Sequence, residues 1–351
     1  MNVRTGGADG RPRPPTIVDV ARRAGVSKSL VSLVLRGAPN VSDEKREAVT
    51  RAAREIGYRP NAVARSLVRR RSYVIGVMVS DLHNPYFTEV IDGVEAAARE
   101  AGYHALFNSG GRTAMGEAEA IDTLLQQRTD GVVMAGTVLD ARRITQVAAA
   151  VPVVVVARNV RSPALDSITN DDRMGGRLAV EHLVSLGHRA IAHVDGGTGA
   201  GAPQRRSGYL QAMRANGLGG ASRIVRGAFT EEGGGEGVHE LLRGRDRPTA
   251  IFVANDLAAV GALDALDEHG LRVPDDMSLV GYDNIALAAL GHIDLTTIDQ
   301  PRREMGGSAV RLLLERRDDG RRRARHLVVA PSVVVRGSTG PPPAEGRGGR
   351  R

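Results

Sequence analysis

The sequence predicts a small all-α helix-turn-helix domain followed by a long α/β body on parallel, doubly wound sheets. Three observations carry this reading. Residues 16–59 hold three short stretches of helical apolar periodicity, punctuated by Gly25, by Gly37 with Pro39, and by Gly57. From Val74 onward, short apolar runs alternate with helix-length amphipathic stretches, the texture of strands covered on both faces by crossover helices. The length of 351 residues exceeds one ordinary core and calls for two or three folded units.

Composition narrows the function classes. Hydrophobic residues at 42% and charged residues at 25% describe a soluble globular chain. The formal charge of +8 suits a polyanionic partner where it is concentrated, and part of it lies at the N-terminal end. With no cysteine, disulfides, thiolate metal sites and a Cys nucleophile are excluded. The first fifteen residues have no apolar core and do not read as a secretory signal. The longest apolar run, Ala148–Ala157, contains Pro152 and falls short of the roughly 18–20 residues of a membrane span. The expected location is the cytoplasm, at the nucleoid, with no membrane partner.

Residues 1–15 read as a disordered Pro/Arg leader. Thr16 and Asp19 have the spacing of a capping box, and Ile17, Val20, Ala21 and Ala24 share one helical face. Gly25 supplies the turn, and Ser27 caps a second helix whose inner face is Val31, Val34 and Leu35. Ser42 opens a third helix, with Asp43 and Glu44 at its positive end and Val49, Ala52, Ala53 and Ile56 inward. A tight glycine turn between the first two helices makes this a helix-turn-helix unit. Residues 60–72 form a hinge. Asn61 is a good N-cap, but two helical turns are marginal alone, so ordering of this segment would require a partner to pack against. Arg65, Arg69, Arg70 and Arg71 would supply salt-sensitive phosphate contacts.

In the body, 73–336, strands are expected at Val74–Val79, His104–Asn108, Gly131–Ala135, Val153–Ala157, Ala190–Val194, Arg223–Val225, Ala250–Ala254 and Ser278–Tyr282. Helices are expected at Tyr86–Ala101, Ala114–Gln127, Gly175–Leu186, Gly208–Asn216 and Ala258–His269. Residues 337–351, rich in Gly, Pro and Arg, read as a disordered tail.

The runs Thr16-Ile-Val-Asp-Val-Ala-Arg-Arg-Ala-Gly-Val-Ser27, Val31-Ser32, Val41-Ser42 and Gly57-Tyr58-Arg-Pro-Asn61 resemble the lactose-repressor (LacI/GalR) family, and the similarity extends to about residue 337. The resemblance implies a transcription regulator, most simply a repressor, that binds a palindromic double-stranded DNA operator as a homodimer. Its second helix would enter the major groove, as such helices generally do. The DNA-facing positions would be Thr16, Ser27, Lys28, Ser29, Ser32 and Leu33. Two departures stand out: Leu30 where relatives commonly have Thr, and Leu33 where they have Arg or another polar residue. Leu33 cannot donate to a guanine, so reading there would be apolar. In relatives with Pro-Asn-x-x-Ala-x-x-Leu, here Asn61, Ala64 and Leu67, paired hinge helices lie in the minor groove. The Leu is levered into the central base step.

For the body the resemblance implies two lobes like periplasmic sugar-binding proteins, crossed three times by the chain, near 168–172, 297–302 and 327–332. A small polar, sugar-like effector would sit between the lobes at strand ends. The positions expected to contact it are Asn84, Tyr86, Phe87, Arg158, Asp171, Arg205, Asn255 and Asp283. Asn84 before Pro85, and Asn255 before Asp256, equally suit helix caps. Ala157 departs from the Asp found in many sugar-binding relatives.

Other constellations are weaker. Gly197-Thr-Gly199-Ala-Gly-Ala202 has dinucleotide-fingerprint spacing, but no acidic residue follows until Glu231, and Pro203 would interrupt the helix start. It reads as a flexible loop. His182 and His188 lack metal-site spacing and read as structural. No G-x-S-x-G elbow or Walker A loop occurs. The expectation is a non-enzyme without cofactor or metal. An exported solute-binding protein and an NAD-dependent enzyme are the rivals, disfavoured by the helix-turn-helix and the missing acidic residue.

Overall fold

A computed structural model describes Arg13 and residues 15–35, 37–58, 71–244 and 246–344. The chain forms two compact units, Met1–Ser72 and Tyr73–Arg351. Nearly all of the leader and almost the whole hinge, with Asn61, Ala64 and Leu67, lie outside the described residues.

The first unit holds α1 (Ile17–Ala24), α2 (Lys28–Leu35) and α3 (Asp43–Glu55). Asp19 accepts from both the backbone N–H and the hydroxyl of Thr16, at 2.8 and 2.6 Å. Those donors hold its carboxyl below the ordinary range. Gly25 ends α1 at φ 66, a left-handed conformation that glycine adopts without steric penalty. The Ser27 hydroxyl accepts from Leu30 N–H at 3.2 Å, so the expected cap of α2 is present. Val20, Val31 and Val49 are fully buried at the centre of the three helices.

The second unit contains two six-stranded sheets. The first has the order β11-β5-β4-β3-β1-β2, all parallel, from β1 (Val74–Val79), β2 (His104–Ser109), β3 (Val132–Ala135), β4 (Val153–Val156), β5 (Asp166–Asn170) and β11 (His326–Val329). One face is covered by α4 (Pro85–Glu100) and α11 (Arg302–Asp318), the other by α5 (Ala114–Gln126) and α6 (Ala141–Ala148). The second sheet has the order β12-β10-β9-β8-β6-β7: β6 (Ile191–Val194), β7 (Arg223–Val225), β8 (Ala250–Val253), β9 (Ser278–Asp283), β10 (Thr296–Asp299) and β12 (Ser332–Val334). Only β12 runs antiparallel. Its covers are α7 (Asp172–Ser185) and α8 (Ala202–Ala215) on one face, α9 (Glu231–Arg243) and α10 (Asp256–Glu268) on the other. All four valines of β4 are fully buried, as burial on both faces demands.

The chain crosses between lobes after β5, after β10 and between β11 and β12, where three crossings are expected. The sequence reading omits the strands that make them. β5 (DSITN) and β10 (TTID) are polar runs, and β11 and β12 are short. It also omits α6, α9 and α11. Helix α9 carries four glycines in thirteen residues, a composition that local propensity rejects.

Glycines explain that helix and the packing of five others. In each of three helix pairs, reciprocal glycines let backbones touch. A Cβ on Gly93 or Gly306 would lie 2.0 Å from a carbonyl oxygen of the partner helix in the α4–α11 pair. The distances are 2.2 Å for Gly176 and 2.1 Å for Gly208 between α7 and α8, and 1.8 Å for both Gly234 and Gly261 between α9 and α10. Such contact is closed to any residue with a side chain.

Three expectations need correction. Helix α8 begins at Ala202 and not Gly208, because Pro203 occupies its first turn, where no N–H is needed. The segment after Gly337 does not leave the fold at once. The Ser338 hydroxyl is buried, donating to Leu279 O at 2.7 Å and accepting from Thr296 N–H at 2.8 Å. Residues 337–344 are described and 345–351 are not. The basic run Arg321–Arg325, which by composition alone would pass for a solvated loop, is exposed at Arg322, Arg323 and Arg325 but anchored at Arg321. Arg321 and Arg316 both grip the fully buried Asp166, at 2.6 and 3.0 Å, and Arg325 N–H adds a third donor at 2.7 Å. His188 is structural as expected, buried against Thr249, Ser278 and Gly340 O.

Candidate functional site

Within the helix-turn-helix unit, Ser27, Lys28 and Ser29 stand exposed at the N-terminal end of α2. That end carries the positive pole of the helix and free backbone N–H groups, suited to phosphate oxygens and base edges. Ser32 is half-buried. Leu33 is also half-buried and packs, with Leu30, against the three-helix core. It is therefore a poorer candidate for base contact than its position suggests. The Thr16 hydroxyl is engaged with Asp19.

In the second unit a cleft of about 380 Å³ opens between the lobes, at the C-terminal ends of strands from both sheets. Its centre is Arg205 on α8, 6% exposed. The guanidinium Nε donates to Asp172 Oδ1 at 2.9 Å and Nη1 to Ala254 O at 2.6 Å, with Asp283 at 3.7 Å. It lies 3.6 Å above the Tyr282 ring. Burial is the largest influence and opposes its charge, but Asp172, Tyr282 and Asp283 together outweigh it and push the pKa up.

Helix packing fixes this pair. Asp172 starts α7, Arg205 lies on α8, and the Gly176 and Gly208 contacts set the distance between the two helices. Asp283 ends β9 with φ 114, a sparsely populated conformation for a non-glycine residue. It accepts from Gln300 Nε2 at 2.6 Å. Burial raises its pKa to about 6 despite the neighbouring Arg205 and Arg302.

Of the expected contacts, Asn84, Tyr86, Phe87, Arg205, Asn255 and Asp283 line the cleft. Asn84 and Asn255 also cap α4 and α10, accepting from Tyr86 and Ala258 N–H at 3.0 Å each, so each is a cap that lies on the cleft wall. Arg158 and Asp171 do not line it. Arg158 turns away to donate to the carbonyls of Thr137 and Leu139. Asp171 caps α7 through Met174 N–H at 2.9 Å, and its neighbour Asp172 takes the place in the cleft.

Sequence reasoning misses Asn170, Phe229 and Gln300. Asn170 donates to the Tyr282 hydroxyl at 2.6 Å, while its Oδ1 is buried without a partner among the described residues. The glycine run 196–201 is not an idle flexible loop but a cleft wall. A Cβ on Gly196 or Gly199 would fall 2.3 Å from the Phe229 ring, and one on Gly201 2.7 Å from Asp172. Those glycines are the signal that could have located both neighbours.

A helix-turn-helix unit together with a two-lobed α/β unit holding a polar cleft defines a regulator of transcription. Residues 16–61 match the family described as bacterial regulatory proteins, lacI family, and residues 180–339 match the periplasmic binding protein-like domain. The chain is 37% identical over 325 residues to the ribose operon repressor of Haemophilus influenzae, covering 92% of this chain and 98% of that protein. The lac repressor dimer bound to operator and the anti-inducer ONPF superposes with a TM-score of 0.84 at 33% identity, over 93% of this chain and 100% of that one. The cellobiose complex of the transcriptional regulator CelR gives 0.69 at 31% identity, over 92% and 99%. The chain belongs to the lacI family of bacterial regulatory proteins.

Proposed function

We propose that the protein is a cytoplasmic, nucleoid-associated transcriptional repressor that binds a palindromic operator as a homodimer under the control of a small polar metabolite. The observation that carries this reading is the cleft. Arg205, Asp172 and Asp283, drawn from two helices and a strand end, form a buried charged floor beside the interlobe crossings. A ligand bridging the lobes there would change their relative angle, because the connecting strands are few and short.

Lys28 and Ser29 would lead α2 into the major groove, with Ser27, Ser32, Thr16 and, in part, Leu33 supporting its register. Asn61, Ala64 and Leu67 would form the paired minor-groove hinge. In the cleft, Arg205, Asn255 and Asp283 would hold ligand hydroxyls, with Asn84 beside them and Tyr86 and Phe87 offering flat apolar faces. The cleft is read as a binding site: Arg205 at its centre is held by Asp172 and by Ala254 O, an arrangement for recognition.

The test is selection of bound duplexes from a random DNA pool by the full-length protein, with and without pooled metabolites. A two-fold symmetric consensus with a deformable central step is the expected result. Failure to enrich any site under either condition contradicts the proposal.

A further inference from the structure

Inside the cleft, one arginine faces two carboxylates: Arg205 has Asp172 at 2.9 Å and Asp283 at 3.7 Å. The rim is different. Arg112 follows β2 in the first lobe and Arg226 follows β7 in the second, and both line the same cleft. Arg112 is 59% exposed and has Asp81 at 3.7 Å, longer than a hydrogen bond, while Asp81 accepts the His83 N–H at 2.9 Å. Arg226 is exposed and makes no ion pair among the described residues.

Glu236 and Glu240 line a neighbouring hollow with Arg226 without forming an ion pair to it among the described residues, and Asp195, beyond β6, is already ion-paired to Arg206 and accepts the Gly197 N–H at 2.9 Å. Ala157, at the first lobe's edge of the cleft, adds only a methyl group. Two guanidiniums, one per lobe, against the single Asp81 carboxylate leave the rim with one excess positive charge. Guanidinium is the group that best matches a phosphate or carboxylate in two-point geometry.

We propose that the cleft takes an anionic saccharide, with its hydroxyl-rich body inside and its phosphate or carboxylate held at the mouth between Arg112 and Arg226. The inner wall suits the hydroxyls: the buried Asn170 Oδ1 is an acceptor without a partner among the described residues, and Asp172 and Asp283 each carry a second carboxylate oxygen beside it. Phe229 provides an apolar wall for a sugar face. Because the anion would touch one arginine from each lobe, binding it favours closure. This inference rests on the cleft being the effector site.

The test uses full-length protein and matched probes at about 0.15 M salt, where exposed charges are screened beyond roughly 8 Å. The pairs are glucose 6-phosphate against glucose, ribose 5-phosphate against ribose, and glucuronate against glucose, followed by isothermal calorimetry. At least one anionic probe is expected to bind about tenfold or more tightly than its neutral counterpart. Arg226→Gln should reduce that preference several-fold and leave the neutral sugar's affinity unchanged. Phosphate and carboxylate are told apart by which pair shows the preference. The proposal is overturned if no anionic probe outbinds its neutral partner, or if Arg226→Gln retains the preference. A neutral effector acting on a symmetric operator would sink this inference and leave the regulator reading intact. Tight anion binding with no operator would do the reverse.

Discussion

Replacing Gly176 by Ala probes the link from helix packing to the cleft. The added Cβ would stand 2.2 Å from the carbonyl oxygen of Arg205, against an ordinary separation of about 3.5 Å. Helices α7 and α8 would have to part by roughly 1.3 Å, or bend locally by that amount. Overpacking of this kind costs about 1–3 kcal/mol, offset by up to about 1 kcal/mol of helix propensity gained over glycine. The same displacement would stretch the 2.9 Å Arg205–Asp172 contact towards the limit of a hydrogen bond.

The expected result is a loss of about 1–2 kcal/mol in urea unfolding, roughly 2–8 °C in Tm, with weakened effector binding. Gly220→Ala is the matched control, since a Cβ there meets nothing within 4 Å and the backbone is not left-handed. It should be neutral or stabilising by up to about 1 kcal/mol. Adding Gly208→Ala to Gly176→Ala should cost less than its single effect, because the helices have already separated. If Gly176→Ala behaves like Gly220→Ala in stability and effector affinity, the packing argument fails.

Three other outcomes are expected. Asp166→Asn leaves Arg316 and Arg321 buried without their anion, so stability at pH 7 should fall by about 3–5 kcal/mol in chemical denaturation. Burial raises the pKa of Asp166, but hydrogen bonds from Arg321, Arg316 and the Arg325 backbone outweigh burial and lower it. Its stabilisation is therefore present above about pH 4 and fades as pH falls below that. Asp283 has the opposite sign. Its pKa rises from 3.8 to about 6, so its favourable contribution is full below 3.8 and lost as pH rises through about 6. Asp283→Asn should then stabilise the protein at pH 7.5 by up to about 3 kcal/mol, an advantage that shrinks towards pH 4, while effector binding weakens. Equal pH profiles for the two proteins would refute this. Leu67→Ala should lower affinity for the selected operator and leave nonspecific DNA affinity unchanged, measured by fluorescence anisotropy; equal operator affinity removes the wedge from the mechanism.

The helix-turn-helix was legible because each signal is local. Thr16 and Asp19 cap within one turn, Gly25 supplies a left-handed turn, and Val20, Val31 and Val49 mark one core. Apolar strands such as Val153–Val156 were legible for the same reason. The polar strands Asp166–Asn170 and Thr296–Asp299 were not, because tertiary partners make them strands: Arg316 and Arg321 satisfy Asp166, and Asp256 accepts from the Thr297 hydroxyl. The glycine-rich helix Glu231–Arg243 was hidden because its glycines serve a neighbouring backbone and not its own propensity.

In the cleft, Arg205 and Asp283 could be found from strand-end and motif logic. The exchange of Asp171 for Asp172 turns on one residue of register at a helix start, where one carboxylate caps and the next faces inward. Phe229 was harder to find because it reaches the cleft through contacts distant in sequence, with Gly196, Gly199 and the Arg205 guanidinium.

The most direct test of the central claim is operator affinity of the full-length protein, with and without a saturating concentration of the tightest-binding saccharide, in the native chain and in Arg205→Lys. The account predicts a shift of about 5–150-fold in the native protein. It predicts little or none in the variant, whose single ammonium cannot reproduce the contacts to both Asp172 and Ala254 O. Operator affinity unchanged by ligand in the native protein, or shifted equally in both proteins, would contradict it.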